Sequence, residues 1–506
     1  MIMFYQREEM RHRISLLFLL GLFALFQTLN AQSKDSRSDS ISLVFLHVND
    51  THGHFEPFDM GDKKNVGGIA RMATLIKSIR EENEERTLLF HAGDIFSRGD
   101  PLTVYYAGKV NMLVMDTIGY DVLTPGNGEF YTGIHNLLEL TALVQFPTVL
   151  ANVVYKNNGE RLFPAYVIEE IAGVKIGILG LGHTWKEHPS AWSLETEDPV
   201  STARQFLPYL RKNTDIVIAL THLGLEQDMR LAKELPELDI IIGGHSHHFL
   251  DTPKRVPKPD GKERIVITQA GTFGLALGRL DVHLKKDSAG KYQIQKINGK
   301  LLPVDQNVKE DSDIHSLIKR YSEPLSEVIC TSKVRLENPS EGPNPMGNLM
   351  VRAIHTILDA DAALLFRPAI HDGILPGNVT LERICRIHKW RSRIFDLTIT
   401  GGQLQDILAQ QNVMTSGISY QKTENDVSIL KIGSREFDRN KFYTVLTDEA
   451  LLAAIPFARN IPLRETSERV DTALIKYLRQ LKVIEGVFEE PALGYALQTS
   501  SISVIF

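Results

Sequence analysis

The stretch LVFLHVNDTHGH, Leu43 to His54, decides the fold. Six apolar-dominated residues, long enough for a buried strand, run straight into Asp50 and His52. Four other stretches repeat the design. TLLFHAGD (87–94) ends in Asp94, and VLTPGN (122–127) ends in Asn127. DIVIALTH (215–222) ends in His222, and LDIIIGGHSH (238–247) ends in His245 and His247. A short apolar run bounded by turn residues reads as a buried strand. In open α/β sheets, ligand sites form just beyond the carboxyl ends of the strands. Seven polar donors at five strand ends therefore point to one site.

Between these runs lie amphipathic stretches. GGIARMATLIKSIREENEE (67–85) carries apolar residues at helical spacing and reads as a helix. FPTVLANV (146–153), VKIGILGL (174–181) and RIVITQA (264–270) read as further strands. The alternation argues for α/β layers. Some strands follow one another with no helix between, so a mixed sheet or sandwich is expected rather than a purely parallel one. VDQNVKEDSDIHSLIKRYSEPLSEV (304–328) is polar with one helical stripe and reads as a linker helix. The expected organisation is a first domain over 40–310, a linker over 311–328 and a second domain over 329–506. In the second domain, 344–360 and 401–411 read as helices, and 362–366, 395–400 and 442–447 as strands.

The 506 residues carry a net charge of -6, with 43% hydrophobic and 23% charged residues. That balance gives no footprint for nucleic-acid binding. Near the start, Arg11 and Arg13 precede the apolar run ISLLFLLGLFALF (14–26), followed by a small-residue site at Ala31. This is the pattern of a cleaved signal peptide over 1–31, which predicts export to the periplasm or outside the cell and no stable membrane insertion afterwards. Cys330 and Cys385 are the two cysteines. One bond between them is possible, but two separate buried thiols is the reading taken.

Asp, Asn and His donors without a thiolate suit Mn, Zn, Fe or similar divalent ions. Residues two apart on an extended segment point the same way. Asp50 and His52 are thus expected to reach one ion together, and so are His245 and His247. Seven donors exceed the needs of one ion. Two ions sharing Asp94 would use them all, and such a pair, about 3.5–4 Å apart, clamps phosphoryl oxygens and acidifies a bridging water. His47, His54, His91, His183 and His248 lie nearby and are read as packing, hydrogen-bonding or supporting residues.

With these pieces in place, the chain resembles the calcineurin-like metallophosphoesterases, specifically the 5'-nucleotidase family. The resemblance rests on NDTHGH, GGIARMATLI, HAGDIFSRGDP, GNGEF, LANV, THLGLEQD and IIGGHSHH, in that order. It implies a four-layered α/β sandwich with a dinuclear site, followed by a smaller α+β C-terminal domain that binds the nucleoside part of a substrate. It implies Asp50, His52 and His247 on one ion, Asn127, His222 and His245 on the other, and Asp94 as the bridge. Asn127 would also face the substrate.

The same resemblance exposes a departure. Where the family has a catalytic His and its orienting Asp, this chain has Gly128 and Tyr131. No catalytic side chain is therefore assigned, with His54 and Arg98 as substitutes to test. The second domain departs too. FRPAIHDG (366–373), HKWRSRI (388–394) and AAIPF (453–457) stand where the family keeps its nucleoside pocket. Phe457 is the remaining candidate for a stacking aromatic, and Arg367 lies near a useful position. The expected function is an exported dinuclear hydrolase of a phosphate monoester, using a metal-bridging hydroxide, with low or altered nucleotidase activity. The alternative is a catalytically weak protein that binds metals and a phosphorylated ligand. Hydrolysis of a thiosulfate-type conjugate is a third class.

Overall fold

Residues Ser40–Val48 run antiparallel to Ala276–Lys286 and parallel to Thr87–His91, which places this first strand at the middle of a five-stranded sheet. The outer strands are Tyr292–Pro303 on one side and Val122–Leu123 on the other. A second, six-stranded sheet has a parallel centre of Val174–Leu181, Ile216–Thr221, Ile240–Ile242 and Arg264–Thr268. Antiparallel edge strands Tyr166–Ile171 and Lys254–Pro257 close it. The computed structural model describes residues 39–83, 86–97, 99–261, 264–423, 426–486 and the backbone of 503–505. The signal-peptide expectation for 1–31, and Arg98, lie outside the described residues.

The two sheets face each other through one apolar layer. Leu43, Phe45, Leu88 and Phe90 from the first meet Ile176, Ile178, Ile218, Ile240 and Ile242 from the second. Burial on both faces explains why these strands are continuous apolar runs rather than alternating ones. Helices Ile69–Asn83 and Lys109–Ile118 cover the outer face of the first sheet through Met72, Ile76, Ile79, Met112 and Met115. Helices Pro199–Asn213 and Leu225–Glu234 cover the second through Ala203, Leu207, Leu210 and Leu231. The order is helix, sheet, sheet, helix, a four-layered α/β sandwich.

One strand expectation is corrected. Phe146–Val153 is buried at Val149, Leu150 and Ala151 but forms no long ladder, with only a bridge from Thr148 to Leu123. Scattered backbone bonds hold the segment, from Leu123 N to Pro147 O, Val149 N to Leu123 O, Leu150 N to Pro164 O and Ala151 N to Gly180 O, and one side chain adds to them. Asn152 accepts from Gly182 N at 2.9 Å and donates to Gly182 O at 2.8 Å. The strand proper starts at Val153 and pairs with Leu194–Thr196.

The linker contains helix Ser312–Ser322, capped by the Asp311 carboxylate, which accepts from Asp313 N and Ile314 N. Pro324 follows, so the α-helix gives way to a 3₁₀ turn over Glu323–Ser326. Ile314 and Ile318 pack with Ala70, Ala73, Val110 and Val114, fixing the linker to the first domain.

The second domain has a five-stranded sheet ordered Val413–Ser416, Ala362–Phe366, Phe442–Asp448, Arg393–Thr400, Leu463–Arg469. Helices Pro345–Ile357 and Val470–Leu481 pack with one face, and Gly401–Gln410 with the other. Thr400 caps the last of these in a reciprocal pairing with Gln403. Among the described residues, three arginines reach across the domains, among them Arg459, which donates to Lys186 O. Arg391 donates to the carbonyls of Val104 (3.3 Å) and Tyr105 (2.7 Å) while pairing with Asp471 at 3.1 Å. Arg393 pairs with Glu449 at 2.6 Å and reaches Ser190 Oγ at 3.1 Å. Cys330 and Cys385 are buried free thiols, in separate apolar clusters, and burial pushes them up to about 11 and about 12. They stay protonated and serve as small apolar side chains.

Candidate metal centre

Five of the seven donors predicted from strand ends sit in the left-handed region. The φ angles are 51° at Asp50, 47° at His52, 55° at Asp94, 77° at His245 and 55° at His247. Each non-glycine residue held there costs roughly 1–3 kcal/mol, and such strain gathers at functional sites. Backbone bonds between neighbouring loops hold it in place. Asp50 N donates to Gly93 O at 2.9 Å, His52 N to Asp94 O at 2.9 Å and Gly53 N to Ile95 O at 2.6 Å.

This corrects the spacing argument. The pairs are not on extended segments, so residues two apart need not point together. Asp50 and His52 do converge, and His247 joins them. His52 Nε2 and His247 Nε2 are 3.1 Å apart, and His247 Nε2 lies 3.2 Å from Asp50 Oδ1. His245 turns away from His247. Its ring packs on His222 at 5.1 Å and on His183 at 4.6 Å.

The donor atoms form two overlapping groups, Asp50–His52–His247 and Asp50–Asp94–His222, each within 4.8 Å. Asp94 lies between histidines of both, with Oδ1 3.4 Å from His222 Nε2 and Oδ2 3.8 Å from His52 Nε2. Outer contacts fix the ring orientations. His222 Nδ1 donates to Ala92 O at 2.7 Å, and His52 Nδ1 shares a 2.9 Å bond with Ser97 Oγ. A histidine bonded through Nδ1 presents Nε2 to a metal. Burial works against the Asp50 charge, but the bond to His247 and the neighbouring His222 and Asn49 outweigh it and hold the carboxyl at about 2. Burial, then His222 and His183, press His245 down to about 4, so its imidazole is neutral.

Hydrogen bonding is incomplete at three buried atoms: Asn127 Oδ1 has no partner, and Asp50 Oδ1 and His222 Nε2 meet only His247 Nε2 at 3.2 Å and Asp94 Oδ1 at 3.4 Å. Their sister atoms are all engaged. Asp50 Oδ2 accepts from Asn49 Nδ2 and His245 N, and Asn127 Nδ2 donates to Tyr131 OH at 2.7 Å. Leaving a buried acceptor unmade costs about 1–3 kcal/mol. Under-bonded O and N atoms of this kind, in two donor groups that share Asp50 with Asp94 close by, fit divalent cations.

The opening of the loop at 126–131 is packed to the limit. A Cβ on Gly126 would lie 2.3 Å from Asp94 Oδ1 and 2.6 Å from His222 Nε2. A Cβ on Gly128 would lie 2.5 Å from Ser97 Oγ and 2.8 Å from Asp94 Oδ1. Gly128 instead donates its backbone N–H to Asp94 Oδ1 at 2.7 Å.

Three residues of the site escaped the sequence reading. Glu129 is fully buried and accepts from Asp94 N, Gly126 N and Ile95 N at 2.6–2.8 Å. Burial, with the Asp94 charge, pushes its carboxyl up to about 7. Asp228, also buried, accepts from Thr221 Oγ1 at 2.6 Å and Gln269 Nε2 at 3.3 Å, tying the His222 loop to the strand end at Thr268. Phe273 donates its N–H to Asp50 O and lies 5.6 Å from the His52 ring and 6.2 Å from His247. The acids inside GNGEF and THLGLEQD were the available signals. Phe273 had none.

The supporting histidines are placed as follows. His47 is buried against Thr268 and Gly278, and burial holds it at about 3. His91 meets Thr51, His54 packs between Phe58 and Phe273, and His248 bonds Ser246. His183 has a buried Nε2 without a partner beside His245.

A cleft opens from Ser97 and Gly128 towards the second domain. Phe457 is not among its lining residues. It packs against the apolar cluster of the second domain. Arg367 also lies away from it, donating to Pro339 O at 2.7 Å.

Residues 43–249 match the family model described as calcineurin-like phosphoesterase, and residues 326–454 match the 5'-nucleotidase C-terminal domain. The trifunctional nucleotide phosphoesterase protein YfkN of Bacillus subtilis is 27% identical over 427 residues, covering 74% of this chain but only 28% of that protein. A 5'-nucleotidase of Vibrio cholerae is 26% identical over 473 residues, covering 79% of this chain and 83% of the other. The solved 5'-nucleotidase precursor of Thermus thermophilus superposes with a TM-score of 0.60 at 22% identity, covering 89% of this chain and 100% of that one. At that identity the likeness speaks for the fold.

Proposed function

We propose that this chain, whose residues 43–249 belong to the calcineurin-like phosphoesterases and whose residues 326–454 are a 5'-nucleotidase C-terminal domain, hydrolyses phosphate monoesters with the help of divalent metal ions. The observation that carries the reading is the convergence of Asp50, His52 and His247, and of Asp50, Asp94 and His222, each set with its donor atoms within 4.8 Å, together with the buried and unpartnered Asn127 Oδ1. Asp50, His52 and His247 would hold one ion, and Asn127, His222 and His245 a second, with Asp94 shared. Ions held there, Mn, Zn or similar, would supply Lewis-acid stabilisation of the phosphoryl oxygens and an acidified water.

The chain's own contribution is positional. Gly128 N–H fixes one Asp94 oxygen, Ser97 fixes His52, and Tyr131 fixes Asn127. Phe273 packs beside the His52 and His247 rings. No imidazole reaches the leaving group from position 128, because a glycine stands there. General-acid help of that kind is worth roughly 10²–10⁴-fold. Turnover of alkyl esters such as nucleoside 5'-phosphates is accordingly slow.

The same glycine supports a second reading, a metal-binding protein that holds a phosphorylated ligand without turning it over. The N-terminal pattern supports an exported protein, and no helix among the described residues is long and apolar enough to cross a membrane.

Metal content and turnover of 4-nitrophenyl phosphate test the reading together. Two ions per chain and activity lost in Asp94→Asn are expected. Two ions with no turnover would favour the binding protein, and no bound metal would overturn both.

A further inference from the structure

From the cleft beside the metal centre, and resting on the phosphoesterase reading, we infer that the substrate is a phosphate monoester of an aryl or similarly acidic hydroxyl whose ring carries an anionic group, recognised by Lys389.

Three observations converge. The first is the absence of a proton donor at position 128, and its enforcement by Ser97 Oγ, 2.5 Å from where a Cβ would sit. Hydrolysis breaks the P–O bond on the leaving-group side. Water supplies the new P–O bond, and the leaving oxygen departs with the bonding electron pair. One proton of the water stays with the phosphate and the other meets the leaving oxygen in solvent. With no acid to protonate that oxygen as it leaves, the rate depends steeply on its basicity. Phenols and enols leave far more readily than sugar or alkyl hydroxyls.

The second observation is the shape of the cleft. From Gly128 it runs between the rings of Tyr131, Trp185 and His188 and those of Phe366 and Trp390 on the second domain. The Tyr131 ring lies 5.9 Å from Trp185 and 5.1 Å from His188, so the first three form one wall. Burial holds His188 at about 3, with Arg393 adding to the effect, so this wall is uncharged at neutral pH. Flat aromatic faces suit a flat apolar group.

The third observation concerns charge. Most charged groups at the cleft are spoken for. Arg391 pairs with Asp471 and two carbonyls, and Glu449 pairs with Arg393. Lys389 lines the same cleft, is half-buried, and has no hydrogen-bond or ion-pair partner among the described residues. A partly desolvated ammonium without a counter-charge is best completed by an anion on the ligand.

The test compares kcat/KM for phenyl phosphate, 3- and 4-carboxyphenyl phosphate and AMP, with Mn²⁺ supplied. The full-length chain is used beside Lys389→Met and Lys389→Arg. Expected are a preference of about tenfold or more for a carboxylated ring over phenyl phosphate, and AMP slower than either. The preference should vanish in Lys389→Met and return in Lys389→Arg. Turnover of phenyl phosphate with no preference for the carboxylated ring, or a preference unchanged in Lys389→Met, overturns the inference and leaves the phosphoesterase reading standing. AMP turned over as fast as the aryl esters also overturns it. No turnover of any ester by the metal-loaded protein removes the phosphoesterase reading itself, and this inference with it.

Discussion

The Tyr131 hydroxyl accepts a 2.7 Å hydrogen bond from Asn127 Nδ2, while Asn127 Oδ1 is buried without a hydrogen-bond partner. Tyr131 thus bonds the side chain proposed above as a metal donor. Tyr131→Phe removes the acceptor and frees the amide to rotate. Loss of such an outer contact typically weakens metal binding about 10–100-fold. Competitive metal titration should show that drop with the fold intact. Unchanged affinity would mean that other contacts set the Asn127 amide.

Restoring an imidazole at 128 should not restore the family's chemistry. The Gly128→His side chain would start 2.5 Å from Ser97 Oγ and 2.8 Å from both Ser97 Cβ and Asp94 Oδ1. Overpacking of this kind costs about 1–3 kcal/mol. Chemical denaturation should show that loss for Gly128→His, and partial recovery in Gly128→His/Ser97→Gly. A fully stable single variant would show that Ser97 and its neighbours give way easily.

Glu129 is the hub of the loops bearing Asp94 and Asn127. Its carboxylate takes three strong backbone N–H bonds, from Asp94, Ile95 and Gly126. Glu129→Ala leaves those donors buried and unmet, at about 1–3 kcal/mol each before any rearrangement. The variant is expected to unfold at lower urea concentration and to bind less metal. Retained metal binding with normal stability would mean that solvent replaces the carboxylate without penalty.

His388 makes the acid stability of the second domain measurable through a residue that is not among the candidate metal donors. It is fully buried, donates from Nδ1 to Ala369 O at 3.0 Å and accepts from Ser392 N at 3.1 Å. Burial depresses it from 6.5 to about 4, against the pull of Asp471. The unfolded chain therefore binds a proton that the folded one refuses. The stabilisation is complete above pH 6.5 and is lost as the pH falls from there towards 4. His388→Gln should flatten the stability profile across that window, read by urea unfolding at stepped pH. An unchanged slope would assign the acid sensitivity to other groups.

The layered α/β architecture, the linker helix and the strand ends bearing Asp50, Asp94, His222 and His247 were all legible in the chain. These features are local. A buried strand declares itself by an unbroken apolar run, a helix by its period, and a site at a strand end by the polar residue that stops the run. Where local pattern misled, as in the segment before Val153, the backbone bonds are shared out among Leu123, Pro164 and Gly180, with Asn152 bonding Gly182, so no regular ladder forms.

By itself, then, the sequence determined the layers, the donors and the absence of a side chain at 128. The tertiary structure decided which donors meet and what surrounds them. His245 packs on His222 while His247 joins Asp50 and His52; the left-handed backbone is common to His245, His247, Asp50 and His52, so the packing of separate loops decides which of them meet. Glu129 and Asp228 matter because they serve backbone and side-chain donors on other loops. Tyr131 and Lys389 line one cleft although more than two hundred residues of chain separate them. Such convergence depends on how two sheets and two domains pack, and no short window of sequence carries that information.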